Sequence, residues 1–279
     1  MSSQHISIPA LQALLSQILR AVAVPEDEAE LVARDLVAAD QQGRGSHGVM
    51  MLGNYVSRIQ KSSVSARSTH TEISNFGAVA VIDAHNSLGQ ITGHYAMELA
   101  LKKAKEFGLG AIAVRNAFHL GVAGNYVEQA ANAGMLALVT TNTRPLMPAP
   151  GGAEAVVGNN PIAFGAPRAS ADPIVLDLAL SEAAMGKIRL AAAQNQKIPT
   201  SWATDASGTP TDDPQSAITG MLLPSGGAKG YGLALMVDIM SGALSGGGFG
   251  QQVNGLFGDL SVPYNCSAIF LAINPEAFG

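Results

Sequence analysis

Apolar residues recur along this chain with a helical period at first, and then in short strand-length runs. From Ile8 to Val22 the positions Leu11, Leu14, Leu15, Ile18, Leu19 and Val22 make one apolar stripe, with Ser7 placed to cap it. A second helix is predicted from Pro25 to about Asp40, with Glu26, Asp27 and Glu28 in the first turn, where the helix dipole favours acids, and Val32, Leu36 and Val37 on its inner face. The stretch Gly43 to Gly48 is too rich in glycine for a helix interior, and helical composition resumes from Val49 towards Gln60. Residues 61–77 are polar and serine-rich and read as a crossing from this helical region into a sheet.

Strand-like and helix-like segments then alternate. Val79 to Asp83 reads as a strand, Gly89 to Phe107 as a helix stopped by Gly108, Gly110 to Val114 as a strand, Val122 to Ala133 as a helix ended by Gly134, and Met135 to Thr140 as a strand. Further on, Ile174 to Leu178 reads as a buried strand and Ser181 to Gln194 as a helix. Lys197 to Ser216 is a long polar connection carrying Trp202. Tyr231 to Leu244 forms an apolar helix with Lys229 at its N-terminal end, and Ala268 to Ile273 a last strand. The alternation predicts an α/β protein.

Composition narrows the class. Only 13% of the 279 residues are charged against 47% hydrophobic, which fits a compact enzyme and not a disordered chain. The net charge of −5 offers no basic footprint for nucleic acid. A single cysteine, Cys266, rules out an internal disulfide and fits the cytoplasm. No leader pattern and no apolar run of membrane-spanning length is visible, so neither secretion nor a membrane partner is expected.

Candidate chemistry concentrates between Arg115 and Arg168. His119 is expected just past a strand's carboxyl end, the edge at which ligands bind in α/β sheets. Gly121 and Gly124 permit close backbone approach, and Thr141-Asn142-Thr143 leaves the next strand with donors and acceptors. Lys229 opposes a helix dipole, which points to an anion nearby, and Asp177 is an unusual residue to place within a strand. The usual motifs fail: no G-x-G-x-x-G follows a strand, no phosphate-loop spacing surrounds Lys229, and the six histidines do not pair at metal-ligand spacing. G-x-S-x-G is absent, and the adjacent side chains of Ser46 and His47 are expected to diverge, which argues against a serine hydrolase.

Several motifs do recur in one order and spacing: Gly45-Ser46-His47-Gly48, Asn116-x-x-His119-x-Gly121-x-x-Gly124, Thr141-Asn142-Thr143, Pro150-Gly151-Gly152, Gly158-x-Asn160-Pro161, Asp177-Leu178-Ala179 and Gly226-Gly227-x-Lys229-Gly230. Together they resemble the malate/L-lactate dehydrogenase family of type 2, a non-Rossmann group that includes sulfolactate, ureidoglycolate and diketogulonate dehydrogenases and cyclic imino-acid reductases. The resemblance runs from about residue 5 to 279.

What the resemblance implies is a family-specific mixed-sheet α/β fold with an N-terminal helical region, and a homodimer using NAD or NADP on a small 2-hydroxy or 2-oxo acid. It implies His47 as general acid/base oriented by Ser46, with His119 as the alternative base; a histidine suits either direction near neutrality. It implies His119, Gly121, Gly124, Thr141, Asp177, Leu178, Ala179 and Lys229 around the dinucleotide, and Asn159, Asn160 and Arg44 near the substrate. On this reading residues 1–77 form the helical region bearing the Ser-His pair, and 78–279 the cofactor-binding part, shortened at its C-terminus relative to the family. Met51 stands where the family has an arginine to clamp the substrate carboxylate, leaving Arg44, Arg58 and Arg144 as candidate substitutes. The alternatives are an impaired or truncated paralogue that keeps the fold, and a cyclic imino-acid reductase.

Overall fold

The computed structural model of the chain describes residues 5–279. The N-terminal stripe forms α1 (Ile8–Ala21), where Ser7 Oγ accepts the Ala10 N–H at 3.4 Å. It packs on α2 (Glu26–Gln41) through the buried Leu15, Leu19, Val32 and Leu36. After α2 the chain makes two single 3-10 turns, Gly45–His47 and Val49–Met51, before α3 (Leu52–Gln60). Gly48 separates them for a steric reason: a Cβ there would lie 1.9 Å from Asp40 Oδ1. The Asp40 carboxylate instead accepts the Val49 N–H at 3.0 Å, which anchors the Ser-His turn to the end of α2.

The sheet region runs β1 (Thr71–Phe76), β2 (Val79–Asp83), α4 (Gly89–Phe107), β3 (Leu109–Ala117), α5 (Gly124–Asn132), β4 (Leu136–Thr141), the short pair β5 (Met147–Pro148) and β6 (Ala155–Val157), β7 (Ile162–Ala166) and β8 (Ile174–Leu178). There follow α6 (Met185–Ala193), β9 (Ala203–Thr204), α7 (Pro214–Thr219), β10 (Met221–Leu222), α8 (Ala228–Asp238) and β11 (Cys266–Ile273). Seven strands form one sheet in the order β1-β2-β3-β11-β4-β7-β8. Within this sheet, among the described residues, only β2 and β3 are parallel, joined through α4, and the other strand pairs are antiparallel. The last strand is therefore central: Phe270 of β11 pairs with Ile112 on one side and Val139 on the other.

The two edge strands differ from what the sequence pattern predicts. The polar stretch 61–77 contains β1, whose six residues are all exposed, so an edge strand left no alternation to read. The run Ile174 to Leu178 is a strand but not a buried one: β8 is the opposite edge, with Ile174 55%, Leu176 49% and Leu178 38% exposed. One core joins α1 to α5 with the sheet, and a second joins Met147, Leu180, Ile188, Leu222 and Val237 beneath α6 to α8, with Trp202 against it. Gly77, at the boundary between the two expected regions, is the turn of the β1–β2 hairpin. Among the described residues, no helix is long and apolar enough to cross a membrane.

Arg58 ties the segment before β11 to α3. It is fully buried; Nη1 donates to Val262 O at 2.9 Å, and Nη2 to Gly255 O at 2.9 Å and Leu256 O at 3.0 Å. Its guanidinium lies over the Phe118 ring, next to His119, so the clamp also fixes the floor of the candidate site. Arg58→Leu takes the arginine donor from Val262 O and Gly255 O, leaves Leu256 O with Asn54 Nδ2, opens a cavity in the core and is expected to destabilise the fold by about 2–4 kcal/mol. The midpoint of a urea unfolding curve checks this, and an unchanged midpoint contradicts it.

Candidate active site

Two imidazoles from separate elements meet at the carboxyl end of β3. His47 stands in the first 3-10 turn and His119 two residues beyond β3; their ring centroids are 5.4 Å apart with an interplanar angle of 27°. Ser46 Oγ lies 2.9 Å from His47 Nδ1, so the adjacent side chains converge, contrary to the expectation. The tight turn places both on one side of the backbone, and Nε2 is left as the nitrogen that can exchange a proton.

The same turn brings Arg44 to the sheet. Arg44 Nη1 donates to Asp177 Oδ2 at 2.5 Å, and the Gly124 N–H donates to the same oxygen at 2.9 Å. Asp177 thus caps the N-terminus of α5 while holding the guanidinium. Glycine at 124 eases this approach, because a Cβ would sit 3.1 Å from the carboxylate and 3.2 Å from Nη1 and push both back by a few tenths of an ångström.

The rings differ electrostatically. Burial presses the His47 imidazole below its ordinary value, the Asp177 carboxylate pulls it back up, and Arg44 pushes it down. Burial acts harder on His119, and with His47 as the second cause it falls to about 3. Near neutrality His119 is uncharged, and of the two rings His47 is the more readily protonated.

Other expected site residues divide into two sets. Asp177, Leu178 and Ala179 leave β8 towards the loop before α8, where the Ser225 N–H donates to Leu180 O at 3.0 Å. Gly226 and Gly227 of that loop have φ of +61° and +65°, open space where a Cβ would be, and the exposed Lys229 follows in the first turn of α8. Lys229 makes no ion pair among the described residues, which leaves its ammonium free for an anion. Asn159 is partly exposed and its Oδ1 accepts from Thr143 Oγ1 at 2.9 Å.

The remaining two are spent on the fold. Asn160 has no exposed surface; Oδ1 accepts the Thr143 N–H at 2.9 Å and Nδ2 donates to Ala234 O at 2.8 Å. Thr141 Oγ1 donates to Ser267 O at 2.8 Å inside the sheet. Of the candidate clamps for a carboxylate, Arg44 stands beside His47, Arg58 is committed to backbone carbonyls, and Arg144 is exposed. Met51 is 1% exposed within the main core, so this position faces packing and not the cleft. Two residues that sequence reasoning did not single out stand behind His119: Tyr55 Oη lies 2.9 Å from Nδ1, and Gln90 reaches the ring only through Tyr55, its Nε2 lying 3.1 Å from Tyr55 Oη.

Comparison with known proteins places the chain in a family. The family model described as malate/L-lactate dehydrogenase matches residues 6–279. The chain is 40% identical over 267 residues to an L-sulfolactate dehydrogenase of Methanocaldococcus jannaschii, covering 95% of this chain and 76% of that protein. It is 38% identical to a (2R)-3-sulfolactate dehydrogenase (NADP(+)) of Chromohalobacter salexigens, covering 99% and 83%. The solved sulfolactate dehydrogenase from Methanocaldococcus jannaschii superposes with a TM-score of 0.92 at 38% identity, covering 98% of this chain and 78% of that one.

The depressed His119 makes a pH prediction. An unfolded chain takes up a proton at this ring near pH 6.5, whereas the folded chain refuses it until about pH 3. The stability it contributes is complete above the unfolded value and is lost as the pH falls through that window. His94 contributes the opposite slope: burial acts to lower it, but hydrogen bonding and charge from Asp35 outweigh that and raise it. His119→Gln leaves His94 in place, so in urea titrations between about pH 7 and pH 4 the variant should lose stability less steeply, by up to about 1.4 kcal/mol per pH unit. Equal slopes would mean that His119 protonates freely in the fold.

Proposed function

This chain belongs to the malate/L-lactate dehydrogenase family, and from that premise we propose that it interconverts a small 2-hydroxy acid and its 2-oxo acid at the His47–His119 pair. It is an oxidoreductase that uses a nicotinamide dinucleotide, NAD or NADP. The observation that carries the assignment of the site is the stacked imidazole pair set beside the Arg44–Asp177 ion pair.

The residues present fit the dinucleotide. Successive left-handed glycines at 226 and 227, the N–H groups of the first turn of α8 and the unpaired Lys229 offer donors to phosphate, and the exit of β8 through Leu178 and Ala179 leads to them. When bound, the nicotinamide supplies or accepts the hydride at the substrate carbon. The protein's part is to handle the proton and the charge. His47 gives its Nε2 proton to the substrate oxygen during reduction and takes it back during oxidation, while Ser46 holds Nδ1 and so the ring plane. Neutral His119, alongside, can polarise the same oxygen but cannot act as an acid carrying positive charge. Arg44 places a guanidinium beside His47 for the substrate carboxylate, its charge shared with Asp177. A cyclic imino acid presents the same carboxylate beside its reducible C=N carbon, so Arg44 leaves it as the second substrate class.

A homodimer is the proposed assembly, in the cytoplasm. Support for it lies in the apolar outer side chains of β7 and β8, where Phe164, Ile174, Leu176 and Leu178 are all exposed along one sheet edge. Light scattering should return twice the 28.5 kDa chain mass; the mass of one chain contradicts the dimer.

The enzymatic reading is tested by oxidation of NADH and NADPH in the presence of a panel of 2-oxo acids and cyclic imines. One panel member should be turned over, and His47→Ala should lower its kcat by roughly two orders of magnitude while dinucleotide affinity stays within about twofold. Equal loss of dinucleotide binding would make His47 a cofactor residue instead.

A further inference from the structure

His119 is held from behind by two buried side chains whose hydrogen-bonding rules determine where its proton sits. Tyr55 on α3 has no exposed surface and Gln90 in the first turn of α4 is 2% exposed. Gln90 Nε2 donates to Tyr55 Oη at 3.1 Å, and Tyr55 Oη lies 2.9 Å from His119 Nδ1. An amide nitrogen only donates and a phenol has one proton. With Gln90 donating to it, the Tyr55 hydroxyl keeps its own proton, which has no acceptor among the described residues other than His119 Nδ1, so a bare Nδ1 is the arrangement that satisfies the buried phenol.

The reverse arrangement is sterically possible and electrostatically poorer. If the Gln90 amide were turned over, its oxygen would accept from Tyr55, Tyr55 would accept from an Nδ1–H, and Nε2 would be the bare nitrogen. The amide N–H groups would then be sealed without an acceptor. In the observed arrangement the orphan is Gln90 Oε1, which has no partner. A buried carbonyl without a partner is tolerated more readily than a buried N–H. Gly121 accommodates the amide, since a Cβ at this left-handed position would lie 3.1 Å from Gln90 Nε2. His119 Nε2 has no partner among the described residues and, unlike Gln90 Oε1, is not sealed from solvent.

We infer that Tyr55 and Gln90 are positioning residues that fix His119 as its Nε2–H tautomer, so that His119 donates a hydrogen bond to the substrate oxygen and cannot serve as the base. The donor role rests on the functional reading above; the tautomer does not. It divides labour between the two imidazoles: His47 moves the proton, and His119 stabilises the charge that develops on the oxygen being reduced.

Long-range proton–nitrogen correlation spectra of ¹⁵N-histidine-labelled, ligand-free protein test this directly, with the His119 signals assigned by their loss in His119→Gln. Wild type should show a protonated Nε2 and a bare Nδ1 at His119. Tyr55→Phe, which keeps the ring packed against Phe118, should give averaged shifts at both nitrogens, as should Gln90→Leu. Both variants should lower kcat for reduction about tenfold to a hundredfold, with dinucleotide affinity unchanged and the fall in activity with rising pH, which belongs to His47 as the proton donor, unmoved. A wild-type His119 protonated at Nδ1 overturns the inference whether or not the variants fold. So does a tautomer that survives both substitutions. An Nε2–H ring in a protein that oxidises no reduced dinucleotide would refute the functional reading and leave the tautomer standing.

Discussion

The site depends on one ion pair that joins two regions distant in sequence. Arg44 leaves the end of α2 and reaches Asp177 at the edge of the sheet, 133 residues later, at 2.5 Å. With the Gly124 N–H on the same oxygen, three segments converge on one carboxylate: the Ser-His turn, the start of α5 and the exit of β8. The pair is only partly covered, with the Asp177 side chain 12% and the Arg44 side chain 35% exposed. Its contribution is geometric more than energetic, since an ion pair this close to solvent adds modestly to stability. What it sets is the approach of His47 to His119, whose 5.4 Å stacking would have no fixed partner if the turn were free to swing.

Once the rings are stacked, their chemistry separates by burial. Two imidazolium ions cannot share so small a space, and the more enclosed ring, His119, yields its proton first. Two similar groups with unlike surroundings take on unlike tasks. The walls around them are built for this: Arg58 spends its charge on the backbone of residues 255–262 and braces Phe118 against His119, while Asp40 holds the base of the Ser-His turn.

Much of the fold was legible because its helices carry apolar stripes. Gly108, with φ of +81°, stops α4 where a glycine stop was expected. The sheet was less so. Edge strands β1 and β8 have few neighbours to bury against, so one showed no alternation and the other an apolar run that solvent reaches. Nothing local in the final strand announces that it pairs between β3 and β4, because that placement depends on partners more than a hundred residues away. At the site, glycines and the Ser-His turn were readable from the motif order, as was His119. Tyr55 and Gln90 were not, because each sits on a helix face indistinguishable in pattern from ordinary core. The distinction between Asn159 and Asn160 was equally invisible, as it lies in which neighbour is folded inward.

In the proposed reaction, the substrate carbon receives hydride from the dinucleotide while its oxygen exchanges a proton with solvent through His47. Isotope tracing separates the two most directly. With a reduced dinucleotide deuterated at the transferring carbon, the hydroxy-acid product should carry deuterium at C2; with unlabelled dinucleotide in heavy water, C2 should carry none. Deuterium at C2 from solvent, or its absence from the labelled dinucleotide, would contradict the account.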